Sequence, residues 1–277
     1  MLTAPSIDLA DRSAARRARL RRRGDLKRLL LGVLLLGLMV ATHARAEHHA
    51  GGGSVAGFGD ALAGVVDDRG LVDYAALAAD PRARAAVRAQ SGALAGGVDA
   101  LEPAARLAAL MNTYNAAVLH LLLEAGAGGS GAIDGILDVD GGDVFDTPRV
   151  PLGGETVSLN QLEKEHIGPL AGDPRYHFAI NCGALSCPPL RAEAYTADRL
   201  QEQLDDQRDR TLAGGDPRFV VWDGDGAVRV TKLMDWYGDE FGDPAAYLGE
   251  HAGLPGPVTE VGFLGYDWSL NAQPSAK

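Results

Sequence analysis

The clearest periodic pattern of apolar residues lies in the segment LEPAARLAALMNTYNAAVLHLLLEAG, residues 101–126. Apolar side chains recur there at helical spacing, with Pro103 near the start and Gly126 at the end, which predicts a long helix. Its polar arc is narrow and consists of Thr113, His120 and Glu124. A helix with so little polar surface is expected to lie in the centre of the fold.

Two amides, Asn112 and Asn115, fall on the apolar side of this helix. An amide buried without partners costs a few kcal/mol, so each must form hydrogen bonds in the interior. They either hold the backbone of a loop or belong to a functional site, and the pattern leaves both alternatives open.

The rest of the chain alternates between helical and extended patterns. Residues 58–95 are predicted to be helical with a break at 71–74. Further along, the patterns predict a short strand and a helix capped by Ser158 or Asn160, a strand over 175–182, a helix capped by Thr196, a β-hairpin around the DGDG turn at 223–226, and a closing strand within 257–271. This order predicts an α+β fold, with a central buried helix and further helices packed on a small, mainly antiparallel sheet.

The N-terminus carries an export signal. An Arg-rich stretch precedes the uncharged run Leu29–Ala41, and Ala44-Arg45-Ala46 provides a small-x-small cleavage site. We therefore predict a signal peptide over 1–46, a Gly-rich flexible linker over 47–57 and a single domain over 58–277. The run is short for a membrane span, so no stable insertion is expected after cleavage, although an uncleaved N-terminal anchor is the alternative.

The net charge of the mature chain limits which partners are expected. Residues 1–46 hold ten of the 26 Lys and Arg and three of the 37 Asp and Glu, so the mature chain carries a formal charge of −18. Such a chain is not expected to bind nucleic acid or an anionic membrane. The expected location is the periplasm or the extracellular medium.

Candidate chemistry is concentrated in HFAINCGALSCPPL, residues 177–190, which contains a histidine and both cysteines of the chain. If the predicted strand continues to Cys182, that cysteine points away from His177. The break at Gly183 allows the chain to return Cys187 toward the histidine. A base next to a thiol favours the reactive thiolate. Cys187 is therefore the predicted nucleophile and His177 its base.

Supporting groups can be named for the same site. Asn112 or Asn115 would fix the imidazole tautomer, and the N–H of Cys187 or the side chain of Asn181 would hold an oxyanion, since Pro188 and Pro189 have no N–H. A Cys182–Cys187 disulfide is the main alternative, because an exported protein meets an oxidising compartment. Zinc is disfavoured because the spacing provides no fourth ligand, so neither a metal nor another cofactor is expected.

Several motifs together resemble the family called domain of unknown function 547. They occur in order over about 71–271: Val72-Asp73-Tyr74, Asn112-Thr113-Tyr114-Asn115, Ser158-Leu159-Asn160, residues 177–190, Ala194-Tyr195-Thr196, Lys232 with Trp236-Tyr237, and residues 266–271. The chain retains Glu163 but has Lys164 where members often have histidine.

The family looks distantly similar to papain-like and transglutaminase-like thiol enzymes. That likeness implies a helix packed on a small sheet with a Cys/His pair between them, in a permuted order because His177 precedes both cysteines. The resulting hypothesis is a cysteine-dependent hydrolase or acyl-transferase acting on an amide or peptide-like bond of an unknown small-molecule or peptide-like substrate. The alternative is a non-catalytic binding or scaffold domain with a structural disulfide between Cys182 and Cys187.

Overall fold

The computed structural model describes residues 52–129 and 133–274 of the chain. The predicted signal peptide, residues 1–46, lies outside the described residues. Helix α1, Gly52–Val65, begins within the predicted linker, so residues 52–57 are helical. Val55 packs against the hydrophobic core, and this packing outweighs the high glycine content that favoured a tether.

Helices supply most of the regular structure of the described residues. After α1 they are α2 (Tyr74–Ala79), α3 (Pro81–Ser91), α4 (Pro103–Glu124), α5 (Leu159–Gln161), a π-helical turn (Leu162–Ile167), α6 (Gly168–Ala171), α7 (Tyr176–Ala179), α8 (Leu200–Leu212), α9 (Leu233–Trp236), α10 (Gly238–Phe241) and α11 (Pro244–His251). A 3₁₀ segment covers Ile136–Gly142. None of the described helices is both long and apolar enough to cross a bilayer.

The predicted central helix is confirmed as α4. It begins with Pro103 in its first turn and buries both asparagines among the largest group of core side chains. Thr113 was predicted to lie on the polar arc, but it is fully buried and bonded to Gln90 at 3.3 Å. The polar surface of α4 is therefore even narrower than the sequence suggested.

Capping explains where two other helices begin. The Ser158 hydroxyl accepts a hydrogen bond from the N–H of Gln161 at 3.1 Å, so Ser158 is the cap and Asn160 is not. Thr196 does not cap α8, which begins later, at Leu200. The Thr196 N–H instead bonds to the side chain of Gln203, and this contact fixes the turn before the helix.

Five short strands form two small sheets. Strands β1 (Val150–Leu152) and β2 (Glu155–Val157) form an antiparallel pair. Strands β3 (Val220–Gly224) and β4 (Ala227–Val230) form the predicted hairpin, and β5 (Glu260–Phe263) lies parallel to β4. The α+β class is confirmed, with two antiparallel pairings and one parallel pairing among the described strands.

The three-stranded sheet covers its own hydrophobic cluster. Val228 and Val230 of β4 pack there with Phe178 of α7 and Leu212 of α8. Helix α7 thus joins the two clusters, because Tyr176 and Ala179 belong to the larger one. The candidate histidine lies on this same short helix.

Candidate functional site

The segment that carries His177 is a helical turn, and the predicted strand over 175–182 is wrong. Asp173 and Pro174 start a turn: the N–H of Arg175 bonds to the Asp173 carboxylate at 2.9 Å, and the N–H of His177 bonds to the Pro174 carbonyl at 3.1 Å. This local turn chemistry outweighs the alternating pattern. Side chains on a helical turn do not alternate between two faces, so alternation does not direct Cys182 away from His177.

The two cysteines form a disulfide, with an S–S distance of 2.05 Å. The loop between them turns at Gly183, where φ is +86° and a Cβ would lie 2.7 Å from Leu122 of α4. Glycine is therefore required for the loop to approach the central helix this closely. No free cysteine occurs among the described residues.

The C-terminal segment holds the disulfide loop in place. The N–H of Leu185 bonds to the Ser269 carbonyl at 2.7 Å, and the N–H of Asn271 bonds to the Gly183 carbonyl at 3.0 Å. This pairing places the Tyr266 hydroxyl 3.2 Å from the Cys182 sulfur and 3.1 Å from the Cys187 sulfur. Tyr266, which belongs to the motif at residues 266–271, is thus next to both sulfurs.

The two sulfurs differ in their surroundings. Cys187 is buried, whereas Cys182 is partly exposed. The backbone N–H of Cys182 also points at the Cys187 sulfur, 2.9 Å away. A donor aimed at a sulfur stabilises its thiolate. Cys187 is therefore the better placed of the two to carry negative charge.

His177 is enclosed by rings and carboxyl groups. Its imidazole lies 3.9 Å from the Tyr176 ring and 3.8 Å from the Tyr237 ring, between centroids. Nε2 is 3.1 Å from a carboxylate oxygen of Glu240, and Nδ1 is 3.8 Å from Glu163. The neighbours of the ring nitrogens are thus carboxyl groups rather than the asparagine predicted from the sequence.

Burial controls the ionisation of this cluster. It lowers the pKa of His177 to about 3, so the imidazole is neutral at neutral pH. Since a neutral ring carries one N–H, the contact with Glu240 places that hydrogen on Nε2. Burial raises the pKa of Glu163, although the Tyr237 hydroxyl donates to it at 2.7 Å and opposes the shift.

The buried asparagines of α4 hold backbone segments. Asn112 bonds to both the N–H and the carbonyl of Tyr195, each at 2.8 Å. Asn115 bonds to the Ala179 carbonyl at 3.0 Å and to the N–H of Asn181 at 2.8 Å. Asn115 therefore fixes the backbone that joins the histidine helix to the disulfide loop.

The two predicted oxyanion donors also have partners inside the protein. The Asn181 amide donates to the Pro188 carbonyl at 2.7 Å, and its oxygen accepts from the N–H of Gly183 at 2.8 Å. The N–H of Cys187 bonds to the Ala184 carbonyl at 3.1 Å. Both groups shape the disulfide loop in this structure.

A pocket of about 110 Å³ brings the cysteines and the histidine together. The remaining lining consists of the polar residues Asn160 and Glu163 and of aromatic or apolar residues: Tyr114, Phe145, Ile180, Pro188, Leu233, Trp236, Tyr237, Tyr266 and Trp268. No group of three or more His, Cys, Asp or Glu side chains suited to a metal ion occurs within residues 52–129 and 133–274. The chemistry available in the pocket is that of sulfur, imidazole, carboxyl and phenol groups.

The fold and this pocket define a mixed α+β domain with a disulfide in the wall of its pocket. A family model described as "Protein of unknown function, DUF547" matches residues 98–210. The resemblance to domain of unknown function 547 is thereby confirmed over this segment, which includes α4 and the disulfide loop. No curated protein and no solved structure gives a significant match.

Glu240 and the aromatic side chains of the pocket were not predicted to belong to the site. Trp236, Tyr237 and Tyr266 lie in motifs that carried the family resemblance, which marked them as characteristic residues. Nothing in the sequence indicated that they line the pocket. Glu240 stands in an exposed acidic stretch, GDEFGD, that resembles ordinary surface. Only the tertiary fold reveals its contact with His177.

Proposed function

We propose that this protein is an exported cysteine-dependent hydrolase or acyl-transferase that acts on an amide or peptide-like bond. The carrying observation is that both cysteines and His177 line one pocket. The disulfide is then the resting form of the enzyme. Reduction by an external dithiol transfers two electrons and two protons to the Cys182–Cys187 pair and leaves the reductant as a disulfide.

The difference between the sulfurs supports Cys187 as the nucleophile. A reductant reaches Cys182, the more exposed of the two cysteines, first, and Cys187 leaves as the thiolate. The Cys182 N–H and the Tyr266 hydroxyl both lie within hydrogen-bonding distance of that thiolate. A better stabilised leaving thiolate departs faster.

Acyl transfer then follows with His177 as the proton carrier. Cys187 gives its proton to the imidazole and its sulfur attacks the carbonyl carbon, forming a C–S bond. The amide C–N bond breaks as the imidazolium returns the proton to the leaving amine. Water, or an acceptor amine, next gives a proton to His177 and attacks the thioester carbon. The C–S bond breaks, the acyl product is released, and the imidazolium returns its proton to the Cys187 sulfur. Glu240 and Glu163 stabilise the transient imidazolium.

Labelling of the two cysteines tests this assignment. We expect a peptide-type electrophile to label Cys182→Ser, which keeps Cys187, at least about tenfold faster than Cys187→Ser, since each unit of thiol pKa changes the thiolate fraction tenfold. Wild-type protein should be labelled only after reduction. Mass spectrometry of the mature protein measures both rates.

Denatured samples provide the control for labelling. Both single variants should react equally in denaturant, because the folded environment is lost. Equal labelling of the two folded variants would contradict the assignment of Cys187.

A non-catalytic binding domain with a structural disulfide is the second candidate. It is favoured by the closed disulfide and by the hydrogen bonds that already occupy Asn112, Asn115 and Asn181. If the protein is such a binding domain, neither folded single-cysteine variant should react with the electrophile faster than its denatured form. The labelling experiment therefore distinguishes the two candidates.

The predicted export is tested by the N-terminal residue of the isolated protein. We expect the protein isolated from its host envelope or medium to begin at Glu47, because the predicted cleavage site ends at Ala46. Intact mass should also show the disulfide in samples prepared without reductant. Retention of residues 1–46 in a membrane fraction would instead support the N-terminal anchor.

A further inference from the structure

The pocket has an aromatic wall that the proposed chemistry does not use. We define the aromatic wall as Trp236, Tyr266 and Trp268. The ring centroids of Trp236 and Tyr266 lie 4.7 Å apart, those of Tyr266 and Trp268 lie 4.5 Å apart, and the two tryptophans stack at 6.0 Å. Trp236 is nevertheless 46% exposed. An indole that is packed on one side and open on the other presents a face to a ligand.

The wall is held by rigid parts of the fold. Trp236 ends α9, and the other two rings belong to the segment that is hydrogen-bonded to the disulfide loop. The N–H of Asp267, between those rings, bonds to the Ser186 hydroxyl at 2.9 Å. The wall is therefore preorganised beside the disulfide.

The charged side chains around the pocket favour a cationic ligand. Its lining contains Glu163 but no lysine or arginine. Glu240 adds a second, partly exposed carboxylate beside His177. The nearby Lys232 pairs with Asp235 at 2.5 Å and lies over the Phe263 ring. An anionic ligand would find no lysine or arginine in the lining, whereas a cation would meet carboxyl groups and the negative faces of aromatic rings.

We propose that the aromatic wall is the subsite for a lysine- or arginine-type side chain next to the bond that is attacked. This inference rests on the proposed function in placing that bond beside the disulfide. The pocket volume of about 110 Å³ is small compared with the roughly 300 Å³ at the lower end of ligand pockets. It therefore fits a side-chain head group, with the rest of the substrate outside.

Binding to the oxidised protein tests the subsite without requiring catalysis. The probes are the blocked amino acids N-acetyl-arginine amide, its neutral counterpart N-acetyl-norleucine amide and its anionic counterpart N-acetyl-glutamate amide. We expect calorimetry to give the arginine probe an affinity about tenfold higher than the norleucine probe, with the glutamate probe weakest. Equal affinity for the arginine and norleucine probes would overturn the proposal.

Variants of the wall sharpen this test. Trp236→Ala should lower the affinity for the arginine probe by about tenfold. Trp236→Phe, which keeps a ring at the site, should recover part of that affinity. Trp222→Phe is the matched control, since Trp222 lies on β3 outside the pocket lining. An unchanged affinity in a folded Trp236→Ala would exclude the wall as the subsite.

The two proposals can fail separately. If the arginine probe binds as expected but Cys187 is not selectively labelled, the subsite stands and the hydrolase does not. If Cys187 is labelled but the three probes bind alike, the thiol chemistry stands and the subsite is wrong.

Discussion

Replacing Asn115 with alanine is expected to lower the free energy of unfolding by about 3 kcal/mol, since it removes two buried hydrogen bonds at once. The Ala179 carbonyl and the N–H of Asn181, which Asn115 now binds at 3.0 and 2.8 Å, would be left without partners in the interior. Each orphaned backbone group costs about 1–3 kcal/mol. Urea unfolding at neutral pH, followed by circular dichroism, measures the loss.

Two further variants isolate the cause. Asn115→Asp keeps the shape and an acceptor for the N–H of Asn181 but cannot donate to the Ala179 carbonyl when ionised, so it should also be destabilised. Asn160→Ala is the matched control on the pocket wall, where the amide bonds to Asp146 in an exposed position. A loss below about 1 kcal/mol for Asn115→Ala would show that water or local rearrangement replaces both hydrogen bonds.

The asparagines also illustrate what pattern alone can establish. Helical periodicity predicted α4 and placed Asn112 and Asn115 on its buried side, because burial follows directly from the 3.6-residue repeat. The pattern could not say which partners they would find. Those partners, Tyr195 and the 179–181 backbone, lie more than 60 residues away in sequence.

The pocket was predictable only in part for the same reason. Local crowding in residues 177–190 directed attention to the cysteines and the histidine, and these three residues line one pocket. The prediction that Cys187 rather than Cys182 faces His177 depended on a strand that does not form. Glu240 and Tyr266 reach the site through tertiary packing, and no local pattern predicts their contacts with His177 and the sulfurs.

The disulfide and the histidine environment are connected through the segment that Asn115 holds. Helix α7 ends at Ala179, and the disulfide loop begins two residues after Ile180. A change in the backbone at 179–181 would therefore move His177 relative to the sulfurs. We expect Asn115 to position His177 relative to the sulfurs, so its substitution should impair Cys187 labelling as well as stability.

The pH dependence of stability should be reduced when His177 is replaced by glutamine. Burial lowers the pKa of His177 to about 3 in the folded protein, whereas an unfolded histidine has a pKa of about 6.5. Below pH 6.5 the unfolded chain binds a proton that the folded chain does not, so this histidine's contribution to stability is complete above pH 6.5 and is lost as the pH falls toward 3. Glu163, whose pKa is raised by burial, acts in the opposite direction but is present in both proteins.

Between pH 7 and pH 5, the free energy of unfolding of the wild-type protein is therefore expected to fall by about 2 kcal/mol more than that of His177→Gln. The measurement is the free energy of unfolding in urea at both pH values, with the disulfide intact. The same substitution at His120, which lies outside the candidate pocket beside Glu124, is the matched control. Parallel pH profiles for wild type and His177→Gln would mean that a proton reaches the folded imidazole easily. In that case the folded imidazole would take up a proton below about pH 6.5, as an exposed histidine does, and Glu240 would hold the resulting imidazolium.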